Sequence, residues 1–452
     1  MKKFVASVGV VALGAAGAGA VDSSIISQGS AKPWSVSAAL RGFYDDNPGT
    51  LSGAGKTSSF GYSLSPGMKY GWADGPTSIK FDYTYTYIYF DKRFGNQLQK
   101  YDQDHTFNFN MDHAFNERYQ LNVTDSFVVG QEPDTLSTGV IGAPQRLPGD
   151  NIRNTGAISF NAQITPLFGL LAGYQNSFFH YHASGAQPGN EVLVFGTNSY
   201  PVSTVTPSAA GRLNRFEHTL HLDARWQALP ETVGVLGYQF GLTDFTANEA
   251  IGVLYPNGII NGAPITLMSS SRNSRTHSGY AGLDHRFTPD LQAQVRVGVQ
   301  DTDYYNDPSQ SSALSPYVNA TLSYNYGPEN SLQLGFSYNR SASDQVSPSL
   351  FGSTKNTYTT GQESANLFGT LHHRILSHLY GSLTGQFQDS SFVGGAVDGQ
   401  TEKVYLFGLE MEYRFNPNFA ATFSYDYDKV QTGVAGLSYD RNRIFLGVTA
   451  SY

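Results

Sequence analysis

The stretch Ile444-Phe445-Leu446-Gly447-Val448-Thr449-Ala450-Ser451-Tyr452 decides the fold of this chain. Every second residue from Ile444 to Tyr452 is apolar or aromatic, and the residues between them are mostly small or polar. A period of two residues is typical of a β-strand with one face in an apolar medium and the other in a polar one. The stretch also ends on an aromatic residue, whereas the termini of soluble domains tend to be polar and frayed. We therefore predict a strand that closes a barrel in a lipid bilayer by pairing with the first strand.

The N-terminus predicts a secretory signal peptide. Lys2 and Lys3 precede an apolar run from Phe4 to about Ala16, and Ala18-Gly19-Ala20 supplies small residues for cleavage. The run is short and rich in Gly and Ala, which argues against a transmembrane anchor. We expect residues 1–20 to form the signal peptide, residues 21–33 a periplasmic N-terminal segment and residues 34–452 the barrel.

The composition favours a transmembrane barrel over a soluble fold. The chain has 29 Tyr, 29 Phe and 48 Gly, only 14% charged residues and a net charge of −8. Weak alternation in many short segments, combined with an excess of aromatic residues, is typical of transmembrane β-barrels. Because the chain has no cysteine, we expect neither a lipoprotein anchor nor a disulfide framework. No basic patch suggests nucleic acid as a partner.

Short turns and longer loops alternate along the chain and set the number of strands. Eight short turns, six of them with proline, lie at residues 73–76, 116–118, 165–166, 228–231, 288–290, 327–330, 376–378 and 416–418. Longer segments rich in Gly, Ser, Pro and Asn cover residues 45–57, 93–100, 132–152, 184–212, 247–274, 306–311, 343–360, 392–400 and 432–437. We predict an all-β fold, a transmembrane antiparallel up-and-down β-barrel of about 18 strands with 16 as the fallback. Its short turns would be periplasmic and its longer loops extracellular.

The alternation also predicts which face of each strand meets lipid. From Ile79 to Tyr89 the odd positions are apolar or aromatic, whereas Lys80 and Asp82 fall on the even positions. Charged side chains on the lipid face are costly near the midplane, so the polar set should line the lumen. A soluble β-sandwich would reverse the two faces and would need two domains, but the sequence shows no linker between them. Tryptophan favours the headgroup level of a membrane, and all three are predicted on outward positions at periplasmic strand ends: Trp34, Trp72 and Trp226.

Many charged side chains fall on the inward positions, where a water-filled lumen would accommodate them and an apolar plug would not. We predict as pore-lining residues Lys80, Asp82, Asp104, Asp112, Arg215, Glu217, Arg225, Arg286, Arg296, Arg374, Glu410, Glu412, Asp426 and Asp428. The basic members concentrate on the middle strands, whereas most acidic members belong to early and late strands, which become neighbours when the barrel closes. Two interpretations follow. Either a transverse field orients polar solutes, or the charges pair between strands and hold the wall rigid.

Three long loops are expected to shape the extracellular mouth. A barrel of this size is wide, so the segment from Gln131 to Asn154 is a candidate constriction, with a solvated surface loop as the alternative. Its charged residues are Glu132, Asp134, Arg146, Asp150 and Arg153. Residues 184–212 and 247–274 contain apolar runs, among them Val192–Phe195, and should form small hairpins or pack over the mouth.

The sequence predicts no catalytic residue, no metal site and no cofactor. His180 and His182 lie at the outer end of a strand, and the adjacent His372 and His373 point to opposite faces, so neither pair indicates a metal site. His218 faces outward, as a membrane-embedded hydrolase would require, but no outward serine lies convincingly beside it. No glycine-rich phosphate loop precedes a helical pattern.

Four segments carry a family resemblance: Arg215–Leu222, Gly237–Gly241, Gly279–His285 and Ser315–Ala320. With these segments the chain resembles the putative β-barrel porin 2 family of Gram-negative outer membranes, a family that implies a porin-like barrel and no catalytic residues. The last strand resembles that of bacterial outer-membrane β-barrel proteins, whose terminal aromatic residue acts as an assembly signal. The resemblance therefore implies that the barrel assembly machinery recognises Leu446, Val448 and Tyr452.

From the resemblance and the inward charges we expect an outer-membrane channel for passive diffusion of small polar solutes. The expected partners are outer-membrane lipid, the assembly machinery and the solutes. The sequence does not decide whether the chain also forms a homo-oligomer. The alternative is a structural or adhesion barrel that anchors surface loops without transport. A third hypothesis, a membrane-embedded hydrolase, would need the outward catalytic residues that the sequence does not supply.

Overall fold

Strands joined by tight turns make up almost the whole of the described chain. The computed structural model describes residues 32–93, 99–131, 149–195, 197–255, 263–307, 312–346, 358–434 and 436–452. The expected signal peptide and most of the N-terminal segment lie outside these residues. Within them, no helix has the length and hydropathy to cross a membrane.

The strands follow one another in chain order. They are β1 (Trp34–Asp45), β2 (Ser59–Asp74), β3 (Thr77–Phe90), β4 (Tyr101–Ala114), β5 (Tyr119–Gly130), β6 (Asn151–Gln163), β7 (Phe168–Tyr181), β8 (Gln187–Phe195), β9 (Asn198–Thr206), β10 (Arg215–Leu229), β11 (Thr232–Phe245), β12 (Ala250–Leu254), β13 (Ile265–Met268), β14 (Ser274–Thr288), β15 (Leu291–Asp303), β16 (Ala313–Gly327), β17 (Asn330–Ser341), β18 (Thr359–Leu376), β19 (Leu379–Gly394), β20 (Thr401–Asn416), β21 (Phe419–Thr432) and β22 (Tyr439–Ser451). One short helix, α1 (Ala209–Leu213), precedes β10.

Eighteen of these strands form one closed antiparallel barrel, and the other four form two hairpins, β8–β9 and β12–β13. The barrel closes where β1, already paired with β2, also pairs with β22, so that Leu40 lies opposite Val448. Beyond the last strand, the Tyr452 backbone exchanges hydrogen bonds of 2.9 and 3.0 Å with Val36. The predicted strand count and the predicted closing strand are confirmed.

All eight predicted short turns join barrel strands at one rim, which we call the short-turn rim. Local chemistry explains them: Asn116 Oδ1, for example, accepts hydrogen bonds from the backbone N–H groups of Arg118 and Tyr119 at 2.8 and 3.1 Å. Such side-chain bonds let asparagine close a tight turn. The opposite rim, the long-loop rim, carries the longer connections, including both hairpins, which confirms the prediction of hairpins in the two longest loops.

Strand register assigns one face of every barrel strand to the outside. Leu40, opposite both Leu64 and Val448, is 52% exposed, whereas Ser63 on the alternate face is 7% exposed. Side chains splay apart on the convex side of a barrel and crowd on the concave side, so the exposed apolar set is outward and the polar set inward. Trp34, Trp72 and Trp226 all lie on the outward face near the short-turn rim, as predicted.

Candidate pore-lining wall

The register places all fourteen predicted pore-lining side chains on the inward face. Most of these side chains contact a charged or polar partner. Two groups lie on nearly opposite sides of the barrel, one on β10 to β15 and the other on β20 to β1.

The first group, which we call the arginine–aspartate cluster, comprises Asp223, Arg225, Tyr280, Asp284 and Arg296. Asp284 lies between two guanidinium groups, 2.9 Å from Arg225 Nη2 and 2.6 Å from Arg296 Nη2. The Tyr280 hydroxyl donates to Asp223 Oδ1 at 2.6 Å. These side chains come from strands that are neighbours in the barrel, and the ion pairs fix their positions on the wall.

Glycine makes room for this cluster. A Cβ atom on Gly237, which lies between β10 and β14 on the inward face, would come within 2.2 Å of the Tyr280 ring and 2.4 Å of Asp223 Oδ1. Without a side chain at Gly237, the tyrosine can lie flat over β11 and reach the carboxylate. The absence of a side chain at Gly237 therefore allows the cluster to pack on the concave, crowded face of the barrel.

The second group is a ladder of ion pairs across the closing seam. Arg441 Nη2 lies 2.5 Å from Asp45 Oδ2, and Arg443 Nη2 lies 3.0 Å from Asp428 Oδ2 and 3.9 Å from Asp426 Oδ2. Charge-assisted hydrogen bonds of this kind are stronger than neutral ones. The ladder therefore ties β1, β21 and β22 together on the lumen side.

Other predicted pore residues are paired or hydrogen-bonded in smaller sets. Arg215 Nε contacts Glu217 at 2.6 Å, Arg374 contacts Glu329 at 2.5 Å near the short-turn rim, and Glu412 pairs with Arg414. Lys69 lies 3.9 Å from Asp82, and Asn122 Nδ2 donates to Asp112 at 2.9 Å. Pairing thus accounts for many of the described inward charges, which favours the rigid-wall interpretation over a simple transverse field.

Sequence reasoning missed several partners in these pairs. Asp284, Arg441 and Arg443 were absent from the predicted wall, although each belongs to a cluster described above. Each falls on the polar side of its alternating strand, so periodicity could have found the face. The partner itself depends on register between strands, which alternation in one strand does not fix.

The predicted constriction is only partly within the described residues: Glu132, Asp134 and Arg146 lie outside them. Asp150 accepts a hydrogen bond from Gln131 Nε2 at 2.6 Å, which links the two ends of this connection. Arg153 is not a loop residue, contrary to the prediction. β6 already begins at Asn151, which pairs with Gly130, and Arg153 points inward from the strand.

Two arginines join three long loops above the barrel. Arg212 of α1 donates to the carbonyl oxygen of Asp344 at 2.8 Å, and Arg272 donates to the carbonyls of Arg212 and Ser343. Arg272 is 1% exposed, and its guanidinium lies 4.3 Å from the Phe245 ring centre. Burial lowers the pKa of Arg272 to about 9, and the neighbouring Arg215 and Arg212 charges act in the same direction. The carbonyls and the ring offset part of the cost of burying this cation.

The β8–β9 hairpin is only half buried, which corrects part of the prediction for its loop, whereas β12 of the other hairpin is buried from Ile251 to Leu254. Leu193 of β8 packs against a cluster that contains Val202 and Val253, but Val192 and Val194 are 62% and 64% exposed. A two-stranded hairpin has two faces, and only one of them meets the neighbouring hairpin.

The histidines lie where the alternation predicted. His180 and His182 share the outward face near the long-loop rim, with ring centres 5.1 Å apart, whereas His372 and His373 point to opposite faces. His218 is outward, and its Nδ1 lies 2.8 Å from the Tyr174 hydroxyl. Over the described ranges, no group of three or more His, Cys, Asp or Glu side chains could hold a metal ion.

A closed 18-stranded barrel with paired charges on its inward face defines a porin-like transmembrane β-barrel. The family model described as putative beta-barrel porin 2 matches residues 264–452 of this chain. The predicted resemblance is confirmed for that part, which contains two of the four segments that carried it, Gly279–His285 and Ser315–Ala320. This family suggests a non-enzymatic channel and supports an outer-membrane location.

No curated protein sequence matches the chain. Among solved structures, the outer membrane protein OpdK of Pseudomonas aeruginosa is 11% identical, with a TM-score of 0.39 over 93% of this chain and 99% of that one. OccAB4 of Acinetobacter baumannii is 10% identical, with a TM-score of 0.41 over 93% and 99%. The siderophore receptor PiuA of Acinetobacter baumannii is 10% identical, with a TM-score of 0.45 over 93% and 82%.

Proposed function

We propose that the protein is a passive outer-membrane channel through which small polar solutes diffuse. The observation that carries this proposal is the concentration of charged and hydrogen-bonding side chains on the inward face of a closed barrel. Such side chains are costly in hydrocarbon and favourable beside water, so they fit an aqueous lumen. The pore-lining residues would be the fourteen predicted ones together with Asp223, Asp284, Arg441 and Arg443.

The pairing of these charges favours a polar wall with weak ion preference. The arginine–aspartate cluster contains two guanidinium groups and two carboxylates, so its charges balance. In the seam ladder, Arg443 lies between Asp426 and Asp428, which leaves a small excess of negative charge. A solute would thus meet hydrogen-bonding groups of both signs, an arrangement that suits small polar molecules better than one class of ion.

Reconstitution into planar bilayers tests the proposal. We expect discrete conductance steps with the folded protein, no steps after heat unfolding, and uptake of small sugars by liposomes that contain the folded protein. A folded barrel that passes neither ions nor sugars, even at high applied voltage, would contradict the channel.

A structural or adhesion barrel is the second candidate, and the exposed face of the β8–β9 hairpin favours it. Val192 and Val194 lie next to each other on one face of a hairpin that projects from the long-loop rim, where they could contact a protein or surface. Replacing both with serine would weaken adhesion of bacteria or bilayers that carry the protein, but would leave conductance unchanged. Adhesion without conductance would favour this second function.

We also infer that residues 1–20 are removed on export and that residues 21–33 precede the barrel in the periplasm. The position of Leu446, Val448 and Tyr452 on the outward face of the closing strand supports recognition by the barrel assembly machinery. Sequencing of the N-terminus of protein purified from outer membranes tests the cleavage, and a first residue other than Val21 would move the boundary.

A further inference from the structure

The outward face of β5, β6 and β7 carries a row of polar residues where lipid would be expected. Cross-strand pairing places Asp125, Gly156 and Asn176 side by side on this face. Asn154 Nδ2 donates to Asp125 Oδ1 at 2.9 Å, and Asn176 Nδ2 lies 3.1 Å from His218 Nδ1. We call Asp125, Asn154, Gly156 and Asn176 the polar row.

Asp125 lies deep within the membrane-spanning part of the barrel, six residues from the short-turn end of β5. At about 3.3 Å per residue and a strand tilt of about 40°, six residues place Asp125 roughly 15 Å from that end along the membrane normal. The apolar band of such barrels is about 25 Å tall. Among the described barrel strands, the other outward charged side chains lie at the short-turn end itself or ten or more residues from it. A carboxylate at the depth of Asp125 requires hydrogen-bond donors, which hydrocarbon does not provide.

An apolar groove of about 610 Å³ adjoins the polar row on its short-turn side. Ile158, Ala172, Tyr174 and Leu220 are among the residues that line it. A lipid acyl chain would fill such a groove but would offer no donor to Asp125. A neighbouring protein surface can supply apolar side chains and donors together.

We propose that this face binds a second copy of the chain, with a two-fold axis along the membrane normal close to Gly156. Because β5 and β7 flank β6, that axis brings Asp125 of each copy to β7 of the other copy. Tyr174 lies six residues from the short-turn end of β7, at the same height as Asp125 on β5. The Tyr174 hydroxyl and the Asn176 amide then supply donors to the carboxylate, and this contact occurs twice in a symmetric pair. Gly156, with no side chain, lets the two barrels approach closely.

Disulfide crosslinking tests the position of the axis. The chain has no cysteine, so Gly156→Cys introduces one thiol per copy. Gly385→Cys on β19 is the control, because Gly385 is an outward glycine on the opposite wall; a Cβ there meets open space, whereas a Cβ on Gly156 lies 3.0 Å from Asp125 Oδ1. We expect oxidation of outer-membrane vesicles with copper phenanthroline to give a disulfide-linked dimer from Gly156→Cys, while Gly385→Cys stays monomeric. No dimer from Gly156→Cys, or an equal yield from Gly385→Cys, would overturn the proposal.

Replacement of the carboxylate tests the chemistry. In Asp125→Leu, four hydrogen bonds to a charge are lost per pair, two at each contact, so the dimer dissociation constant in vesicles should rise about 100-fold or more. Photobleaching-step counts of labelled protein at several lipid ratios measure this change. An unchanged dimer fraction, or a wild-type monomer that carries a co-purified lipid at this face, would refute the second copy as the occupant. Single-channel conductance of the same variant should be unchanged, so failure of this proposal is distinguishable from failure of the channel.

Discussion

Replacing Asp284 with Asn should make the pore more anion-selective. Asp284 is the shared partner of Arg225 and Arg296, and all three side chains are about 14–15% exposed on the inward face. Asparagine keeps the shape of the side chain and an acceptor oxygen, but removes the negative charge. The two guanidinium groups then present their full positive charge to the lumen.

The size of the effect follows from Coulomb's law in a water-filled pore. One unit charge about 4 to 7 Å from a passing ion changes its energy by about 0.6 to 1 kcal/mol in water, which corresponds to a permeability change of about three- to sixfold. Because removing the negative charge favours chloride and disfavours potassium by this amount each, the chloride-to-potassium permeability ratio should rise by the square of this factor, up to roughly ten- to thirtyfold, at about 0.1 M salt and by less at 1 M, where screening is stronger.

The assay is the reversal potential of single channels in a potassium chloride gradient, with Asp290→Asn as the control. Asp290 lies in the short turn between β14 and β15, outside the strands, so its replacement changes the net charge of the protein equally without changing the lumen. If Asp284→Asn shifts the reversal potential no more than Asp290→Asn in an open channel, the cluster does not line the conduction path.

Three further substitutions test the seam, the wall and the mouth. Tyr452→Ala should sharply reduce the amount of assembled barrel in the outer membrane, because it removes the terminal ring. Immunoblots of the heat-modifiable, folded protein measure this amount. Tyr452→Phe keeps a ring and should assemble normally. Tyr280→Phe leaves Asp223 without its 2.6 Å donor and should lower the free energy of unfolding by about 1–3 kcal/mol in urea titrations. Tyr317→Phe, which changes the ring stacked on Tyr280, is the control and should lower this free energy less. An equal loss in the two variants would contradict the role of the Tyr280–Asp223 hydrogen bond. Arg272→Met should expose the long loops to limited proteolysis while leaving the barrel intact, since it removes the donors to two loop carbonyls; an unchanged digestion pattern would show that the loops hold together without it.

The barrel was predictable from the sequence because its signals are local. Alternation from Ile79 to Tyr89 fixes the two faces of β3, and the prolines and asparagines of the short turns fix where strands reverse. Closure by the last strand followed from the apolar alternation up to Tyr452. Each of these features depends on residues within a few positions of one another.

The partners within the wall were not predictable because they depend on distant residues. Asp45 was assigned to a loop, yet it extends β1 and pairs with Arg441 almost 400 positions later. The contact between Arg272 and the loop that contains Ser343 likewise requires the barrel to be formed first. A single sequence gives the face on which a residue lies, but the register between strands decides which residues meet.

The seam between β1 and β22 has a consequence for the order in which the protein folds. Lys32 Nζ and the Tyr452 hydroxyl form a 2.9 Å hydrogen bond across 420 positions of sequence, and the strand pairing beside it is of similar range. Contacts of such long range slow folding, because the chain loses entropy before they form. Until β22 arrives, both terminal strands expose unpaired backbone groups and apolar side chains, which invite aggregation. The barrel is therefore most prone to aggregation in the interval before β1 and β22 pair.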